Sequence, residues 1–597
     1  MSFRRVGWVA AILLATWLEL SCGQVYRPVV IPINNTPPNP ANFHAVFGIS
    51  VNAPFNPGTA FQIDVSGDSD IGSANMGINP THAAILPNNA RVFVASAGAS
   101  LCTAGTDVVT AFSPAADSSS ATGLGPPTTF TLPNVGATQS ASISAISEVG
   151  DLVTVTLSAP ITTTAGSQIV ISGITIPNVA NPSAYDGCFP IFSVNGTTVQ
   201  YVNSVAGLPA VSPAPSGGVA SVPTFCRYLP VYLTSSQNNA MYLANYGAEG
   251  DPNCNFSSTD SVAFLNTATN VISNIAYLPA ASHPVAMVET LNAYNLYVLN
   301  QGSNAVTDLS PSDLSTLATI PVGNTPTWAV SRPDSQRVYV ITQGDGQLYT
   351  INTATNNVIP GSPQAVGGAG ANFVLYDKSR NRLYVTNPTA GAVYIFDATT
   401  DPPTPVGNSA GISIPAPPAC TAGACSAVMP TSVAALSDGT RFYVASYATA
   451  TGSTCPDPNI SAAGCVIPQV TVFDAGTLAV KTTIFPLMPA VTTSTGSTTN
   501  PYALAPVTSC APVFPYTPSA ARFRMSAAAS ADGSRVYASM CDGGSVAIVN
   551  TTTSTIATGV NTSDNLVTDL LAPFSAGSPQ ANGEPLPQSP VFLLAGQ

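Results

Sequence analysis

Residues Asn381 to Asp397 have the sequence N-R-L-Y-V-T-N-P-T-A-G-A-V-Y-I-F-D. Apolar and polar residues alternate on both sides of the segment P-T-A-G, which supplies the glycine that a tight turn favours. Two alternating runs joined by a short turn are typical of a β-hairpin. This stretch therefore predicts two antiparallel strands, and it decides the fold because it is repeated.

The same pattern occurs in seven places, each with an aromatic residue in the first strand of the hairpin. The seven aromatic residues are Phe93, Tyr242, Tyr297, Tyr339, Tyr384, Tyr443 and Tyr537. Copies that no insertion interrupts lie about 42 to 55 residues apart, which is the period of a propeller blade. Turn-forming Asp, Asn, Gly and Ser precede most copies, and further apolar runs flank them. Each unit therefore has four predicted strands.

The tetrapeptide Tyr384 to Asn387 and its copies resemble the YVTN family of β-propeller repeats. The resemblance covers roughly residues 60 to 125 and 230 to 560, and it implies an all-β, seven-bladed radial propeller. Two runs compete to close the ring, Phe61 to Val65 and Pro590 to Ala595. If both add strands, an eighth blade forms. A β-sandwich or solenoid of similar hairpins is the alternative, but the period and strand count favour the ring.

A long gap between Phe93 and Tyr242 predicts an inserted module over residues 126–225. Four strand-like runs in it begin at Asp151, Ser167, Tyr185 and Thr197. They resemble the small β-rich modules of phage-tail and bacterial surface proteins. Around this insert we assign residues 43–125 to closing strands and a first blade, 226–565 to the remaining blades, and 566–597 to a tail. An insert of this kind is expected at a loop on one face of the ring.

The N-terminus predicts the compartment. Arg4 and Arg5 precede an apolar run from Val6 to Leu18, which is too short to span a bilayer and is typical of a signal peptide over residues 1–22. The segment L-E-L-S-C-G resembles the lipobox of bacterial lipoproteins, which implies a lipid on Cys22, although Glu19 departs from that pattern. Residues 23–42 are rich in proline and predict an extended tether. We expect an extracytoplasmic, membrane-anchored lipoprotein, periplasmic or at the cell surface, with plain secretion or an uncleaved anchor as alternatives.

The chain has eleven cysteines, and a lipid on Cys22 leaves an even number for disulfides in an oxidising compartment. Close spacing predicts three bridges: Cys420 with Cys425, Cys455 with Cys465, and Cys510 with Cys541. The order of pairing stays open for Cys102, Cys188, Cys226 and Cys254. Buried free thiols are the alternative. Because no histidines stand at ligand spacing from the cysteines, the sequence predicts no metal site and no cofactor.

Charge excludes one class of partner. Only 7% of residues are charged, the net charge is −13, and no basic block occurs, so nucleic-acid binding has almost no electrostatic support. The expected partners are a protein or a cell-envelope glycan, together with a membrane reached through the lipid anchor. We expect the protein to be a monomer.

Two sets of residues are candidates for a site in the propeller. His82 and His283 precede or begin predicted first strands, where a channel-facing pair would bind a metal or act as a base; hydrogen-bonded structural histidines are the alternative. An arginine precedes the aromatic strand in five copies, Arg91, Arg337, Arg382, Arg441 and Arg535. A ring of arginines at one channel mouth would bind anions, whereas a repeated residue normally serves the repeat. Catalytic residues are not identified.

We therefore predict a lipid-anchored propeller that acts as a binding or scaffold protein at the cell envelope. The first alternative is an enzyme resembling the propeller lactonases, which would hydrolyse a sugar lactone. The scarcity of histidine and the lack of paired carboxylates argue against it, and the question of enzymatic activity stays open. The second alternative is a surface-layer or adhesive structural protein.

Overall fold

A computed structural model describes most of the chain after residue 44. The described residues are 45–51, 57–98, 107–114, 124–132, 135–165, 167–176, 183–203, 207–211, 218–247, 259–418, 420, 425–451, 455, 464–486, 510, 524–552, 554–556, 559–561, 564–571, 574–579, 585–587 and 589–596. The predicted signal peptide, Cys22 and the tether lie outside these residues, as do Cys102 and Cys254. Among the residues described, no helix combines the length and apolar character needed to cross a bilayer.

The quoted stretch forms the predicted hairpin. Strands Arg382–Asn387 and Ala392–Asp397 pair antiparallel, with Tyr384 opposite Ile395. Gly391 in the connecting turn has a φ of +64°, a conformation that glycine adopts without the strain a Cβ atom would add. Tyr384 is fully buried between neighbouring sheets. The repeated aromatic residue is thus an anchor of the packing between blades.

The chain forms strands in the following order. Before the first repeat come β1 (Ala45–Val51), β2 (Pro57–Asp64) and β3 (Ser69–Ile78). Blade 1 contains β4 (Pro80–Ile85), β5 (Val92–Ser96), β6 (Val108–Phe112) and β7 (Thr128–Thr131). The insert contains β8 (Val135–Val149), β9 (Leu152–Leu157), β10 (Gln168–Ser172), β11 (Gly187–Asn195), β12 (Thr198–Val202) and β13 (Val219–Cys226). The predicted start of the insert, residue 126, thus precedes the last strand of blade 1.

Blades 2 to 4 follow directly. Blade 2 contains β14 (Pro230–Thr234), β15 (Ala240–Asn245), β16 (Ser261–Asn266) and β17 (Val271–Tyr277). Blade 3 contains β18 (Pro284–Glu289), β19 (Leu296–Asn300), β20 (Ala305–Leu309) and β21 (Thr316–Pro321). Blade 4 contains β22 (Pro326–Ser331), β23 (Arg337–Thr342), β24 (Gln347–Asn352) and a split outer strand, β25 (Asn357–Val358) and β26 (Gln364–Ala365).

Blades 5 to 7 complete the repeats. Blade 5 contains β27 (Phe373–Asp377), β28 (Arg382–Asn387), β29 (Ala392–Asp397), β30 (Thr404–Pro405) and β31 (Ile412–Ser413). Blade 6 contains β32 (Met429–Ala435), β33 (Arg441–Ala450), β34 (Cys465–Asp474) and β35 (Val480–Ile484). Blade 7 contains β36 (Ala527–Ala529), β37 (Arg535–Met540), β38 (Ser545–Asn550) and β41 (Asn565–Leu571). Two small hairpins, β39 (Ser554–Ile556) with β40 (Gly559–Asn561) and β42 (Phe574–Pro579) with β43 (Pro585–Pro587), precede the last strand, β44 (Ser589–Ala595).

The ring has eight blades because both ends of the chain contribute strands. β44 pairs with β1, and β2 and β3 complete a four-stranded sheet of order β3-β2-β1-β44. The first strands of the blades contact one another in a closed circle that runs from β4 through β14, β18, β22, β27, β32 and β36 to β44 and back to β4. The eighth blade predicted as the alternative is therefore present. The sequence shows seven repeats because the eighth blade is divided between the two ends of the chain.

The insert is a small closed barrel of order β10-β11-β12-β9-β8-β13. Its apolar core is its own, since the buried side chains that pack together in it all come from residues 143–222. Tyr201 is fully buried, stacks on Phe189 at 4.1 Å and donates its hydroxyl to Tyr185 O at 3.1 Å. The four predicted strands are present, and β8 and β13 close the barrel around them.

The antiparallel topology gives the ring two different faces. Turns between the first and second and between the third and fourth strands of each blade lie on one face, which we call the turn face. Connections between the second and third strands and between successive blades lie on the other, which we call the insertion face. The barrel connects blade 1 to blade 2, so it leaves the ring from the insertion face.

The three predicted disulfides are present, and all three lie in connections of the insertion face. Cys420–Cys425 lies between blades 5 and 6, Cys455–Cys465 in the central loop of blade 6, and Cys510–Cys541 joins a connection to a loop of blade 7. Cys188, in the barrel, is also disulfide-bonded. Bridges of this kind form in oxidising compartments, so they indicate an extracytoplasmic environment.

Candidate functional site

The five repeated arginines lie at the turn face, where each contacts the next blade. Arg337 of blade 4 pairs with Asp401 of blade 5, Nη2 to Oδ2 at 2.6 Å. Arg535 of blade 7 pairs with Asp68 of the eighth blade at 2.9 Å. Arg91 donates hydrogen bonds to Thr267 O and to the Asn270 side chain, both of blade 2. Arg382 donates to Ala475 O of blade 6, and Arg441 forms a salt bridge with Asp564 of blade 7. These contacts favour the structural alternative, in which the arginines join neighbouring blades.

The repeated acidic turn residues serve the backbone. Asp334, Asp438 and Asp532 each accept a hydrogen bond from the backbone N–H two residues later, at 2.9 to 3.0 Å. Such side-chain-to-backbone bonds stabilise tight turns. The interpretation of these residues as turn formers agrees with these contacts.

Several anchor tyrosines also bond the neighbouring blade. Tyr242 donates its hydroxyl to Pro311 O at 2.9 Å, and Tyr297 donates to Asn356 Oδ1 at 2.7 Å. The amide of Asn356 in turn donates to Asp308, whose pKa is raised to about 6 by burial. The turn face therefore contains a network that holds the ring together.

The central channel is partly filled by aromatic side chains from five first strands. Four of these aromatic residues follow a proline by two positions: His82, Tyr232, Trp328 and Phe592. A β-bulge lies between the proline and the aromatic residue at His82, Tyr232 and Trp328. Proline is tolerated at a bulge because it has no N–H to donate, and the bulge re-aims the following side chain. The fifth aromatic residue is Phe373 of β27.

These side chains pack as one aromatic cluster. The ring of His82 stacks on Tyr232 at 3.8 Å and lies 4.7 Å from Phe592, and Trp328 lies 5.3 Å from both Tyr232 and Phe373. The other three blades place Ala286, Ser432 and Ser526 at the equivalent position. This cluster was not among the candidates from sequence, although the motif proline-x-aromatic at the start of four first strands is a signal for it.

His82 is a buried, neutral member of the channel wall. Its Nδ1 accepts a hydrogen bond from the backbone N–H of Leu233 on the next blade, at 3.3 Å. A nitrogen that accepts carries no proton, so the imidazole is the neutral tautomer protonated on Nε2. His82 therefore joins blades 1 and 2 through its stacking on Tyr232 and through its acceptor nitrogen.

His283 lies on the insertion face between blades 2 and 3. Its ring stacks on Tyr246 at 4.5 Å, and Nδ1 lies 3.1 Å from Tyr246 O and 3.4 Å from Oδ1 of the buried Asp260. The carbonyl and the carboxylate together orient the imidazole. The two predicted histidines thus lie in separate environments. Within the described part of the chain, no group of three or more His, Cys, Asp or Glu side chains is arranged to hold a metal ion.

A buried ion pair fixes the barrel to the ring. Arg227, the residue after β13, donates from Nη2 to Asp107 Oδ1 at 2.6 Å, and both side chains are almost completely buried. Asp107 Oδ2 also accepts from the backbone N–H of Tyr228 at 2.8 Å. Burial raises the pKa of Asp107, and the neighbouring Arg227 acts in the opposite direction. Neither residue was a candidate from sequence, because the pair joins positions far apart in the chain.

The outer surface of the barrel exposes apolar side chains. Val149 at the end of β8 is 84% exposed, and Phe192 on β11 is 62% exposed. Val202 at the end of β12 is 45% exposed and is paired with Leu152, which is also paired with Val149. Exposed apolar side chains on a closed barrel mark a candidate contact surface.

No protein-family model matches the chain, and no curated protein matches it. Solved structures resemble it distantly. Hydrazine synthase of Kuenenia stuttgartiensis is 17% identical with a TM-score of 0.35, over 54% of this chain and 76% of that chain. The dihydro-heme d1 dehydrogenase NirN is 11% identical with a TM-score of 0.35, over 75% of each chain. A candidate 6-phosphogluconolactonase of Bacteroides fragilis is 13% identical with a TM-score of 0.33, over 73% of this chain and 99% of that chain. Likenesses at this level carry no argument about activity, and the β-propeller fold rests on the eight sheets described above.

Proposed function

We propose that this β-propeller is a binding protein of the cell envelope that captures a protein or glycan partner through its insertion face. One observation carries the proposal. The barrel and the connections that contain the three described disulfides between propeller cysteines all lie on the same face of the ring. Loops held by a rigid scaffold are where binding residues concentrate. Disulfides reduce the ordering that such loops undergo on binding, which favours affinity.

The barrel is the part of this face that we assign to contact with the partner. Phe192 and Val202 are exposed apolar side chains on a rigid, closed sheet. Exposed aromatic side chains of this kind are typical anchors of protein interfaces. A protein partner is therefore favoured over a glycan.

Removing the barrel should abolish capture without unfolding the ring. Both ends of the insert are held by Asp107, since Leu132 N–H donates to Asp107 O at 3.3 Å and Arg227 bonds the carboxylate. Residues 133–226 can therefore be replaced by a short Gly-Ser linker. Capture is measured as the yield of partner crosslinks in native cells, with a photo-crosslinking residue placed on the insertion face. The comparison is the yield from the same residue placed in the Asp438 turn.

A point variant makes the same test without a deletion. Phe192→Asp is expected to weaken partner binding about 30-fold, the effect of losing one interface anchor of about 2 kcal/mol. The matched control is Leu317→Asp, because Leu317 is 50% exposed on the outer strand of blade 3. Crosslinks that persist after barrel deletion, or equal losses in both variants, would contradict the role of the barrel.

We extend the proposal to membership of the YVTN repeat family and to a lipid anchor at Cys22. The support is the repeated hairpin pattern and the lipobox-like segment around that cysteine. Intact mass should show loss of residues 1–21 and a diacylglycerol group on Cys22. A Cys22→Ser variant should move from the membrane to the soluble fraction. An unlipidated, soluble wild-type product would contradict the lipid anchor, but the proposed partner binding by the insertion face would still stand.

A further inference from the structure

A cavity of about 390 Å³ lies in the channel beside the aromatic cluster. It is lined by the first strands of blades 5, 6 and 7, and Ala434, Ala527 and Ala529 present small side chains to it. Its inner end is Phe373, a member of the aromatic cluster. This volume falls within the range of small-molecule sites.

The cavity opens at the turn face, opposite the barrel. Its lining extends to Lys378 and Ser437, which lie in the turns after β27 and β32 and are exposed. The rest of the wall is mostly apolar, formed by Leu375 and by alanines that are half-buried or buried, while Asp377, Ser379 and Ser530 are polar members of the lining. A ligand that enters from the turn face would therefore pass the polar rim first and then lie against the apolar interior.

A cation stands at this rim. The chain has two lysines, Lys378 and Lys481, and Lys481 lies 3.8 Å from Asp564. Among the described residues, the salt bridges include none to Lys378, whose side chain lines the cavity. The buried Asp377 beside it already accepts hydrogen bonds from Ser379. The ammonium is therefore placed to meet an anionic group of a ligand.

From the apolar interior and the cationic rim, we propose that this cavity binds an aliphatic carboxylic acid. The hydrocarbon chain lies against Phe373, Leu375 and the alanines, and the carboxylate meets the ammonium of Lys378. This site is on the face opposite the one that carries the proposed partner binding, so the two proposals can fail separately.

Trp328 gives a direct measurement. It is the single tryptophan after residue 17, and its ring lies 5.3 Å from Phe373. In the full chain with Trp8→Phe and Trp17→Phe, its emission reports on the channel. Dodecanoate, added below its micelle concentration, should change this emission saturably. Dodecanol, which has the same chain without the charge, should bind about fivefold more weakly, the effect of one exposed ion pair.

Variants of the rim and the wall separate the two parts of the site. Lys378→Gln should weaken dodecanoate binding about fivefold and leave the affinity for dodecanol unchanged. Lys378→Arg should keep the preference for dodecanoate over dodecanol. Ala529→Phe should fill the cavity and abolish both titrations. Ser437→Tyr obstructs the mouth from an exposed position, so it should do the same even if Ala529→Phe fails to fold.

Three results would overturn the proposal. The first is no saturable change of Trp328 emission with either probe. The second is a change that persists in folded Ser437→Tyr protein, because binding would then lie elsewhere. The third is equal affinity for dodecanoate and dodecanol with no effect of Lys378→Gln, which would remove the carboxylic acid as the ligand class.

Discussion

A chain that ends at residue 588 should fail to form a stable ring. The truncation removes β44, the innermost strand of the eighth blade, which contacts the first strands of blades 1 and 7. Val591 and Leu593 are buried, at 1% and 3% exposure, and each contributes about 1.5–3 kcal/mol by burial. With Phe592 and the lost strand pairing, the total approaches the 5–15 kcal/mol that stabilises a typical native protein. Soluble yield, circular dichroism and thermal unfolding measure the loss.

Restoring the strand at the other end of the chain should rescue the fold. The N–H of Gly596 donates to Ala45 O at 3.3 Å, so the end of β44 lies beside the start of β1. Residues 589–597, placed before Ala45 through a short linker, can therefore occupy the same position. A chain that lacks only residues 596–597 is the control and should melt like the wild type. Wild-type thermal stability of the truncated chain would show that closure of the ring does not need β44.

Arg227→Met should cost about 3–5 kcal/mol, the effect of leaving a buried charge without its partner. The remaining Asp107 is almost fully buried, and burial already raises its pKa. A carboxyl with a raised folded-state pKa stabilises the fold at low pH and loses that contribution as the pH rises through the folded pKa. The variant should therefore be least destabilised at acid pH, near or below the ordinary pKa of a carboxyl, and increasingly destabilised as the pH rises. Denaturant unfolding at several pH values measures this.

Two further variants isolate the buried pair. Asp107→Asn together with Arg227→Met should recover part of the loss, because the asparagine oxygen can still accept from Tyr228 N–H. Arg337→Met is the matched control, since its pair with Asp401 is partly exposed and should contribute about 0–1 kcal/mol. A pH-independent loss in Arg227→Met, or an equal loss in Arg337→Met, would contradict the assigned role of Asp107.

The candidate residues show where sequence reasoning succeeded and where it failed. Repetition identified the aromatic anchors, because a residue that recurs at one place in every blade has the same neighbours in every blade. The same reasoning applies to Arg337 and Arg535, whose contacts with the next blade also repeat. Asp107 and Arg227 occur once each and meet only through the fold, so periodicity carried no signal for them.

The sequence by itself determined the local structure of this protein. The alternating runs, the turn residues and the close cysteine spacings specify hairpins, blades and three disulfides, because each depends on residues near one another in the chain. Only the tertiary structure decided the number of blades, the face that carries the barrel and the contents of the channel. β44 and β1 become neighbours when the ring closes. The cavity exists because folding brings small residues of blades 6 and 7 beside Phe373 of blade 5. Those juxtapositions are set by packing between distant segments, which no local pattern encodes.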